Sequence, residues 1–405
     1  MTVVHIAYQY GLNNTGGAAI ASTRLHKALL SAGVSSHYIC LYAREVGTNV
    51  YVLPKGCSRF LFFLLTKLTR CIWKFTSCKE SICLNLIPLF GLERLLKKLA
   101  PDVIHVQWLN ADVIAFEQLA RLRKFFPQTR FVINLHDLFM INAIAPHPFS
   151  DRRYIAGFTR QNATRLETWL FRRKARAVSH LRGAVVFLAP SKWAADCARQ
   201  SFIGRDISAY SVSNLIDSRF VYRRDLCTKS NRFRILFGAY GGRGNPTKGF
   251  SDLEKALALL PDEEKDHMEL LIFGEEGEDC LAEGMVTHFL GSVSSTEEMI
   301  RIYHQAEILV FPSRAETQGM IKCEAMVCGL PVVAFDRTAC AEGIEQGVTG
   351  WIAQGIEDFS QGTLYLFRKW ETEGIDHAVV AEQATRQFSK ENIIHQVLEI
   401  YKGAK

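Results

Sequence analysis

The sequence lacks several patterns that would assign it to common functional classes. Its 11 cysteines have no regular spacing and form no Cys-x-x-Cys pair, so neither a zinc site nor a disulfide framework is indicated. No uninterrupted apolar run approaches the roughly 20 residues that span a bilayer. The first predicted loop has no Gly-x-Gly-x-x-Gly pattern, which makes a nicotinamide-dependent oxidoreductase a remote alternative.

Two further absences concern location and charge. The N-terminus, MTVVHIAYQY, begins directly with a strand pattern and has no signal-peptide features, so we expect a protein of the reducing cytoplasm. Acidic residues are scarce in residues 1–222, where 29 Lys and Arg stand against 12 Asp and Glu; residues 223–405 hold 19 against 29. This asymmetry predicts that only the first half meets an anionic surface or acceptor. Nucleic acid is not an expected partner, because no recognition motif with interleaved aromatics occurs.

Strand patterns and helix patterns alternate along the chain, which predicts an α/β fold. A chain of 405 residues with 48% hydrophobic content can bury two cores of ordinary size. A polar linker runs from Tyr222 to Asn231. We therefore expect two α/β domains, residues 1–222 and 223–388, and a final helical segment, residues 389–405.

The stretch from Phe311 to Leu330 predicts a polar loop and a helix between two buried strands. The loop carries Glu316, and Glu324 follows inside the helix. Unpaired N–H groups and the helix dipole favour an anion at the helix start, which holds Gly319, Met320 and Ile321. Two carboxylates with an anion site between them would suit a sugar, a ribose and the diphosphate joining them. The alternative is a surface helix with two solvated carboxylates.

A glycine-rich loop, YGGRGNPTKGF, joins a strand to a helix at residues 240–250. Its backbone N–H groups can cradle a phosphate while Arg243 and Lys248 neutralise it. The loop is not a Walker A sequence, because the Gly-Lys-Ser/Thr order is absent. A basic surface loop is the alternative.

A second glycine pair, Gly16 and Gly17, follows the first predicted strand, Val3 to Tyr8. Glycine at a strand-to-helix turn lets the backbone approach a phosphate or an acceptor closely. An ordinary turn would use the same two residues, so this pair indicates a binding site only in combination with the other predicted loops.

Polar residues follow several predicted strands. The strand Asp102 to Val106 precedes Gln107, and the strand Arg130 to Leu135 ends at His136 and Asp137. Open parallel sheets bind ligands at the carboxyl ends of their strands, so His136 is a candidate site residue. A lone histidine after a strand is more often a hydrogen-bonded loop residue. In the second half, strand ends at Gly274 and near Val293 are candidates to flank a nucleotide base.

Segment 59–99 mixes aromatic, aliphatic and basic residues at roughly helical spacing. This pattern is typical of a helix lying in a membrane surface, and the positive charge of the first half favours that interpretation. Core-facing helices with a solvated basic edge are the alternative.

The pair Glu316 and Glu324, with EILVFPSRAET before and EAMVCGLPVVAF after, resembles the Glu-x7-Glu signature of the retaining glycosyltransferases of family 4. The resemblance implies the GT-B fold, in which two Rossmann-like domains face each other across a cleft and the last helix crosses back to the first domain. It implies a nucleotide-sugar donor, with a UDP- or GDP-sugar expected. No cofactor or metal is expected, and the chain has no Asp-x-Asp metal motif.

The resemblance also implies a role for each matched residue. Glu316 would hold donor-sugar hydroxyls, and Glu324 the ribose. Arg243 and Lys248 would bind the diphosphate together with Gly319, Met320 and Ile321, and His136 would face the transferred sugar. Main-chain contacts to the base are implied at Gly274 and Val293, and an approach to the donor diphosphate at Gly16 and Gly17.

Two departures from the family pattern affect the expected sugar site. Gln318 stands where many relatives carry Phe, and Gln107 stands where a second His would be expected. Both changes could tune sugar choice.

The segments GAYGGRGNPTKGF, INLHDLF and APSKW resemble transferases of bacterial surface polysaccharide assembly, namely colanic acid, O-antigen and capsule enzymes. This implies a lipid-linked oligosaccharide acceptor on undecaprenyl diphosphate, and a peripheral location on the inner face of the cytoplasmic membrane. A lipopolysaccharide core or a soluble acceptor is the alternative. From another class, a non-catalytic sugar-nucleotide-binding protein also stays open.

Overall fold

The computed structural model describes residues 1–12, 16–73, 83–145, 151–228, 230–238 and 242–403. The chain divides into two compact units. The first unit comprises Met1–Asn214 and Ile393–Lys405, and the second comprises Leu215–Asn392. The polar linker had placed the division after Tyr222; in the structure the first unit ends at Asn214, and Phe220 packs in the core of the second unit.

The first unit is built on a parallel sheet that has seven strands among the described residues. The strands are β1 Thr2–Tyr10, β2 Ser35–Ala43, β3 Val50–Val52, β4 Val103–Val106, β5 Arg130–Asn134, β6 Val185–Ala189 and β7 Ala209–Ser211. Its helices are α1 Gly17–Ser31, α2 Cys57–Trp73, α3 Leu92–Leu99, α4 Phe116–Phe125, α5 Arg153–Ala156, α6 Arg165–His180 and α7 Lys192–Gln200.

The strand order in this sheet is β3-β2-β1-β4-β5-β6-β7. The strands β4 and β6 inside the sheet are buried at every position, as is typical of parallel strands that are covered on both faces. One core contains alternate residues of the strands together with buried residues of α2, α3, α4, α6 and α7. These five helices therefore pack on the same face. The order reverses at β1, so the carboxyl ends of β1 and β4 flank the crevice where open α/β sheets bind ligands.

The second unit has a mixed sheet of seven described strands in the order β10-β11-β9-β8-β12-β13-β14. They are β8 Phe233–Gly238, β9 Met268–Phe273, β10 Cys280–Ala282, β11 Met285–Phe289, β12 Ile308–Phe311, β13 Val332–Phe335 and β14 Gly350–Ala353. Only the edge pair β10 and β11 is antiparallel among these strands. The helices are α8 Phe250–Ala258, α9 Asp262–Lys265, α10 Thr296–Tyr303, α11 Met320–Val327, α12 Ile356–Thr372 and α13 His377–Gln387.

The last helix, α14 Lys390–Lys402, continues the chain into the first unit. Tyr401 is buried there, and its hydroxyl lies 2.6 Å from Nδ1 of His105 on β4. The predicted fold class, two α/β domains, is confirmed. Four short segments form single-turn elements, namely α5, α9 and the 3-10 turns Arg224–Leu226 and Pro246–Lys248.

Helix α2 accounts for the mixed pattern at the start of segment 59–99. Phe62 is buried in the core, whereas Phe60, Leu61, Leu64 and Leu68 are exposed. The helix therefore has one apolar face in the core and a second apolar face in solvent. Residues 74–82 of the segment lie outside the described residues, and none of the helices in the described ranges is long and apolar enough to span a bilayer.

The buried His26 of α1 predicts an acid-sensitive first unit. Its Nε2 donates to the Thr48 carbonyl at 2.9 Å, its Nδ1 lies 2.8 Å from Ser36 Oγ, and burial lowers its pKa to about 4. The unfolded chain takes up a proton near pH 6.5 and the folded chain does not, so stability falls as pH drops below 6.5. We expect the free energy of unfolding in urea to fall between pH 7 and pH 5 by about 2 kcal/mol less in His26→Gln than in the parent. An equal pH dependence in both proteins would contradict the assignment.

Candidate active site

The second unit brings a cation and a carboxylate together at the carboxyl end of its sheet. Lys248 Nζ lies 2.7 Å from Glu316 Oε1, although the two residues are far apart in sequence. Ser313 Oγ donates to the same carboxylate oxygen at 3.0 Å, and the Glu316 N–H donates to Thr338 Oγ1 at 2.9 Å. Glu316 is thus fixed at both its backbone and its side chain. A hydroxyl-bearing ligand at this carboxylate would meet an acceptor whose position is already set.

Gly249 explains how Lys248 comes so close to the loop after β12. Its φ is +70°, and a Cβ atom there would lie 2.0 Å from the Pro312 carbonyl oxygen. Only glycine tolerates both the left-handed conformation and this approach. The Lys-Gly pair of the loop therefore has a steric reason, in addition to the charge that predicted a phosphate site.

Helix α11 begins at the same end of the sheet. Gly319 is its N-cap with φ +81°, and the helix runs through Met320 and Ile321 to Val327. No acidic residue occupies its first turn, so the unpaired N–H groups and the positive end of the dipole favour an anion. Glu324 lies one turn further along the helix and is 8% exposed. The carboxylate of Glu316 thus precedes the start of α11, and that of Glu324 lies inside the helix.

Lys322, between those two carboxylates, holds the neighbouring loop. Its side chain is 1% exposed, and Nζ donates to the carbonyl oxygens of Ala339, Cys340 and Glu342 at 3.0, 3.0 and 2.6 Å. The loop also carries Thr338, the partner of the Glu316 N–H. Lys322 therefore supports the position of Glu316 through that loop. Sequence reasoning missed it; a lone lysine within the apolar helix run MIKCEAM is the signal.

Arg243 is paired with a different carboxylate. Its guanidinium forms an ion pair with Glu275, and its N–H donates to Glu275 Oε2 at 2.8 Å. Glu275 follows Gly274 at the end of β9, and the Gly274 N–H donates to the Gly291 carbonyl at 2.9 Å. Val293 lies two residues beyond Gly291 and is half-buried. The predicted base-flanking residues thus border the loop of Arg243.

The first unit contains a pocket of about 380 Å³ at the carboxyl ends of its strands. Gly16 and Gly17 at the start of α1 line it, and so do residues that follow the strands. These include Tyr8, Trp108, His136 and Asp137. Trp108 Nε1 donates to Asp137 Oδ2 at 2.7 Å, and the Phe139 N–H donates to Asp137 Oδ1 at 2.9 Å. Asp137 therefore orients an indole ring and a backbone group.

His136 is held by the residue that departs from the family pattern. Its Nε2 lies 3.1 Å from Gln107 Oε1, which also accepts from Asn134 Nδ2 at 3.1 Å. An amide oxygen accepts, so Nε2 of His136 carries the proton. Burial lowers the pKa of His136 to about 4. The imidazole is therefore neutral near pH 7 and offers hydrogen bonds instead of charge.

The predicted residues thus fall into groups within each unit. Glu316 contacts Lys248, Gly319 to Glu324 share one helix, and Gly16, Gly17 and His136 share one pocket. Arg243 is paired with Glu275 instead of lying against Glu316. Among the described residues, no group of three or more His, Cys, Asp and Glu side chains could hold a metal ion.

Comparison with known proteins adds two family matches. The family described as "Glycosyltransferase Family 4" matches residues 15–209, and the family described as "Glycosyl transferases group 1" matches residues 235–369. The first match ends in the first unit, and the second lies wholly within the second unit. Each unit therefore has its own family match.

Curated relatives align over part of their length. The O-antigen chain mannosyltransferase B of Escherichia coli is 31% identical over 178 residues, which are 41% of this chain and 45% of that protein. The D-inositol 3-phosphate glycosyltransferase of Mycolicibacterium gilvum is 29% identical over 130 residues. The alignment covers 29% of this chain and 28% of that relative.

Solved structures align over the whole chain. HepE of Anabaena, in a complex with UDP-glucose, has a TM-score of 0.62 at 17% identity and is covered over 100% of both chains. At this identity the match shows the fold, which is the two-domain GT-B fold.

Removing the Lys322 ammonium tests its support of the site. We expect Lys322→Met to destabilise the second unit by about 3 kcal/mol, because three buried carbonyl oxygens lose their donor. Urea unfolding followed by tryptophan fluorescence would measure it, with Lys255→Met on the exposed side of α8 as the matched control. Equal stability of the two variants would show that Lys322 does not hold the loop.

Proposed function

The chain belongs to glycosyltransferase family 4, and we propose that it transfers a hexose-type sugar from a nucleotide-sugar donor to a lipid-linked acceptor. The acceptor is a growing bacterial surface polysaccharide unit on undecaprenyl diphosphate. The observation that carries the proposal is the contact of Lys248 with Glu316 beside the start of α11. It provides a cation, a carboxylate and an anion site within one unit.

The second unit would hold the donor. Glu316 would accept hydrogen bonds from the sugar hydroxyls, and Glu324 from the ribose. Lys248, Arg243 and the N–H groups at the start of α11 would surround the diphosphate. These fixed positive groups stabilise the charge that develops on the leaving diphosphate, without rearrangement at the moment of reaction. The ion pair of Arg243 with Glu275 would open or be shared when a diphosphate binds.

The reaction is a glycosyl transfer with retention of configuration. An acceptor hydroxyl oxygen forms a bond to C1 of the donor sugar on the face from which the diphosphate leaves. The bond between C1 and the diphosphate oxygen breaks, and the nucleoside diphosphate departs with that electron pair. The hydroxyl proton passes to a phosphate oxygen of the donor. UDP or GDP is the expected nucleotide.

The first unit would hold the acceptor at a membrane surface. Its pocket receives the acceptor sugar beside His136, which would face the transferred sugar, and the excess of basic residues favours an anionic bilayer. The exposed apolar side chains of α2 would enter the interface of the inner leaflet. The 31% identity to an O-antigen chain mannosyltransferase supports a polysaccharide acceptor. A lipopolysaccharide core or soluble acceptor is the second candidate.

Nucleotide binding tests the donor site. We expect one of UDP, GDP, ADP, dTDP and CMP to raise the thermal unfolding temperature, since saturation at about 100 times Kd adds about 2.7 kcal/mol. Glu324→Ala and Arg243→Ala should lose this shift, because they remove the ribose and diphosphate contacts. Arg301→Ala, at an exposed position of α10, should keep this shift.

The control outcomes separate the competing classes. If no nucleotide stabilises the parent chain, the donor-site assignment is wrong. If a nucleotide sugar binds but is not hydrolysed in the absence of an acceptor and is not transferred, the chain is a sugar-nucleotide-binding protein instead of an enzyme.

Liposome binding tests the membrane surface. We expect a triple change of Lys67, Lys97 and Lys98 to Gln to weaken binding to anionic vesicles about 100-fold at low salt, since each exposed lysine contributes about 1 kcal/mol. A triple change of Lys255, Arg301 and Arg368 to Gln in the second unit is the charge-matched control. Equal sedimentation of both variants with the vesicles would exclude the first unit as the membrane-facing part.

A further inference from the structure

A series of aromatic rings extends from the pocket of the first unit along the carboxyl ends of its strands. Trp108 follows β4, Tyr8 lies near the end of β1, and Tyr42 lies near the end of β2. The ring centroids of Trp108 and Tyr8 are 6.0 Å apart, and those of Tyr8 and Tyr42 are 5.3 Å apart. Each pair meets edge to face, so the series is packed and fixed.

The series continues onto helix α2. The rings of Tyr42 and Phe63 have centroids 5.4 Å apart. The Arg59 guanidinium lies 5.5 Å from the centre of the Tyr42 ring and 5.3 Å from that of Phe63, and Nη1 donates to the Leu41 carbonyl at 3.3 Å. We call Trp108, Tyr8, Tyr42 and Phe63 the aromatic track. It places a guanidinium, with its five N–H donors, at the end away from His136.

Beyond Arg59 the track meets the exposed apolar face of α2. Phe60 is 74% exposed, Leu64 42% and Leu68 52%, and their spacing of four residues puts them in one row along the helix. Apolar side chains at this exposure and spacing form a continuous stripe. The pocket, the aromatic rings and the Arg59 guanidinium thus follow one another, and the apolar stripe lies on the same helix as Arg59.

We propose that the aromatic track and this stripe bind the acceptor as a phosphate-linked amphiphile. The sugar lies beside Trp108 and Tyr8 at the His136 pocket, the phosphate lies at Arg59, and the apolar chain runs over Phe60 and Leu64. The inference rests on the proposed function, since it assigns the acceptor of that reaction to named residues.

The order of the chemistry favours this occupant. Aromatic rings stack on the C–H faces of sugars, and the sugar hydroxyls stay accessible. A planar guanidinium pairs with phosphate oxygens in a fork geometry. An apolar chain gains about 25 cal/mol for each Å² it removes from water along the stripe. A soluble oligosaccharide would use the rings but would leave the stripe and the cation without a function.

Farnesyl diphosphate tests the inference without knowledge of the sugar. It carries an apolar chain and a diphosphate, and its binding below its aggregation concentration, without vesicles, can be followed by tryptophan fluorescence. We expect the parent chain to bind it at least tenfold more tightly than inorganic diphosphate. Phe60→Ser with Leu64→Ser should weaken binding of farnesyl diphosphate about tenfold and so reduce that difference. Arg59→Gln should also weaken binding of farnesyl diphosphate, whereas inorganic diphosphate can still bind at the proposed donor site of the second unit.

Phe125→Ser is the matched control, since Phe125 is an exposed aromatic residue of the same unit outside the track. Equal affinity of the parent for both probes, or equal affinity of the parent and the α2 variant for farnesyl diphosphate, overturns the inference. A variant of α2 that no longer binds anionic vesicles but still binds farnesyl diphosphate also overturns the inference, because the stripe would then be a membrane contact only. Nucleotide binding by the second unit is measured separately. If no nucleotide binds, the proposed transferase is contradicted. If a nucleotide binds but farnesyl diphosphate does not, only the role of the aromatic track is contradicted.

Discussion

Both candidate regions depend on a buried ammonium group that holds a loop through backbone carbonyls. Lys322 bonds three carbonyl oxygens beside Glu316, and Lys174 of α6 does the same in the first unit. Lys174 is fully buried, and its Nζ donates to the carbonyls of Phe139, Asn142 and Ala143 at 2.5, 3.1 and 2.9 Å. That loop follows directly after His136 and Asp137. An ammonium group in low dielectric is tolerated only with such partners, so each lysine fixes one conformation of its loop.

The burial of Lys174 shows the cost of this arrangement. Burial lowers its pKa well below the ordinary lysine value, while the nearby Asp137 carboxylate opposes that shift. Asp137 thus has a long-range electrostatic role in addition to its hydrogen bonds to Trp108 and to the Phe139 N–H. The loop that follows His136 is therefore joined to α6 by Lys174 and to Trp108 by the Asp137 carboxylate.

The sequence predicted the fold because each strand is a short apolar run, and runs buried on both faces are typical of parallel sheets. Glu316, Glu324, Arg243 and Lys248 could be found because they lie within short local patterns. The sequence could not predict two ion pairs, because each depends on which strands are neighbours in the sheet. These are the pair of Lys248 with Glu316 and the pair of Arg243 with Glu275. The polar linker pattern starts at Tyr222, whereas Phe220, which precedes it, already packs in the core of the second unit.

The last helix explains why the chain's end belongs to the first unit and how it bears on the pocket. Tyr401 OH lies 2.6 Å from His105 Nδ1, which lies 3.1 Å from Gln107 Nε2, and Gln107 Oε1 accepts from His136. His5 Nδ1 meets the same amide nitrogen at 2.8 Å. Burial lowers the pKa of His105 to about 3, so this ring is neutral, and its Nδ1 accepts because the amide nitrogen of Gln107 can only donate. With its nitrogen fixed by two acceptors, the Gln107 amide has one orientation, and that orientation decides which nitrogen of His136 carries the proton.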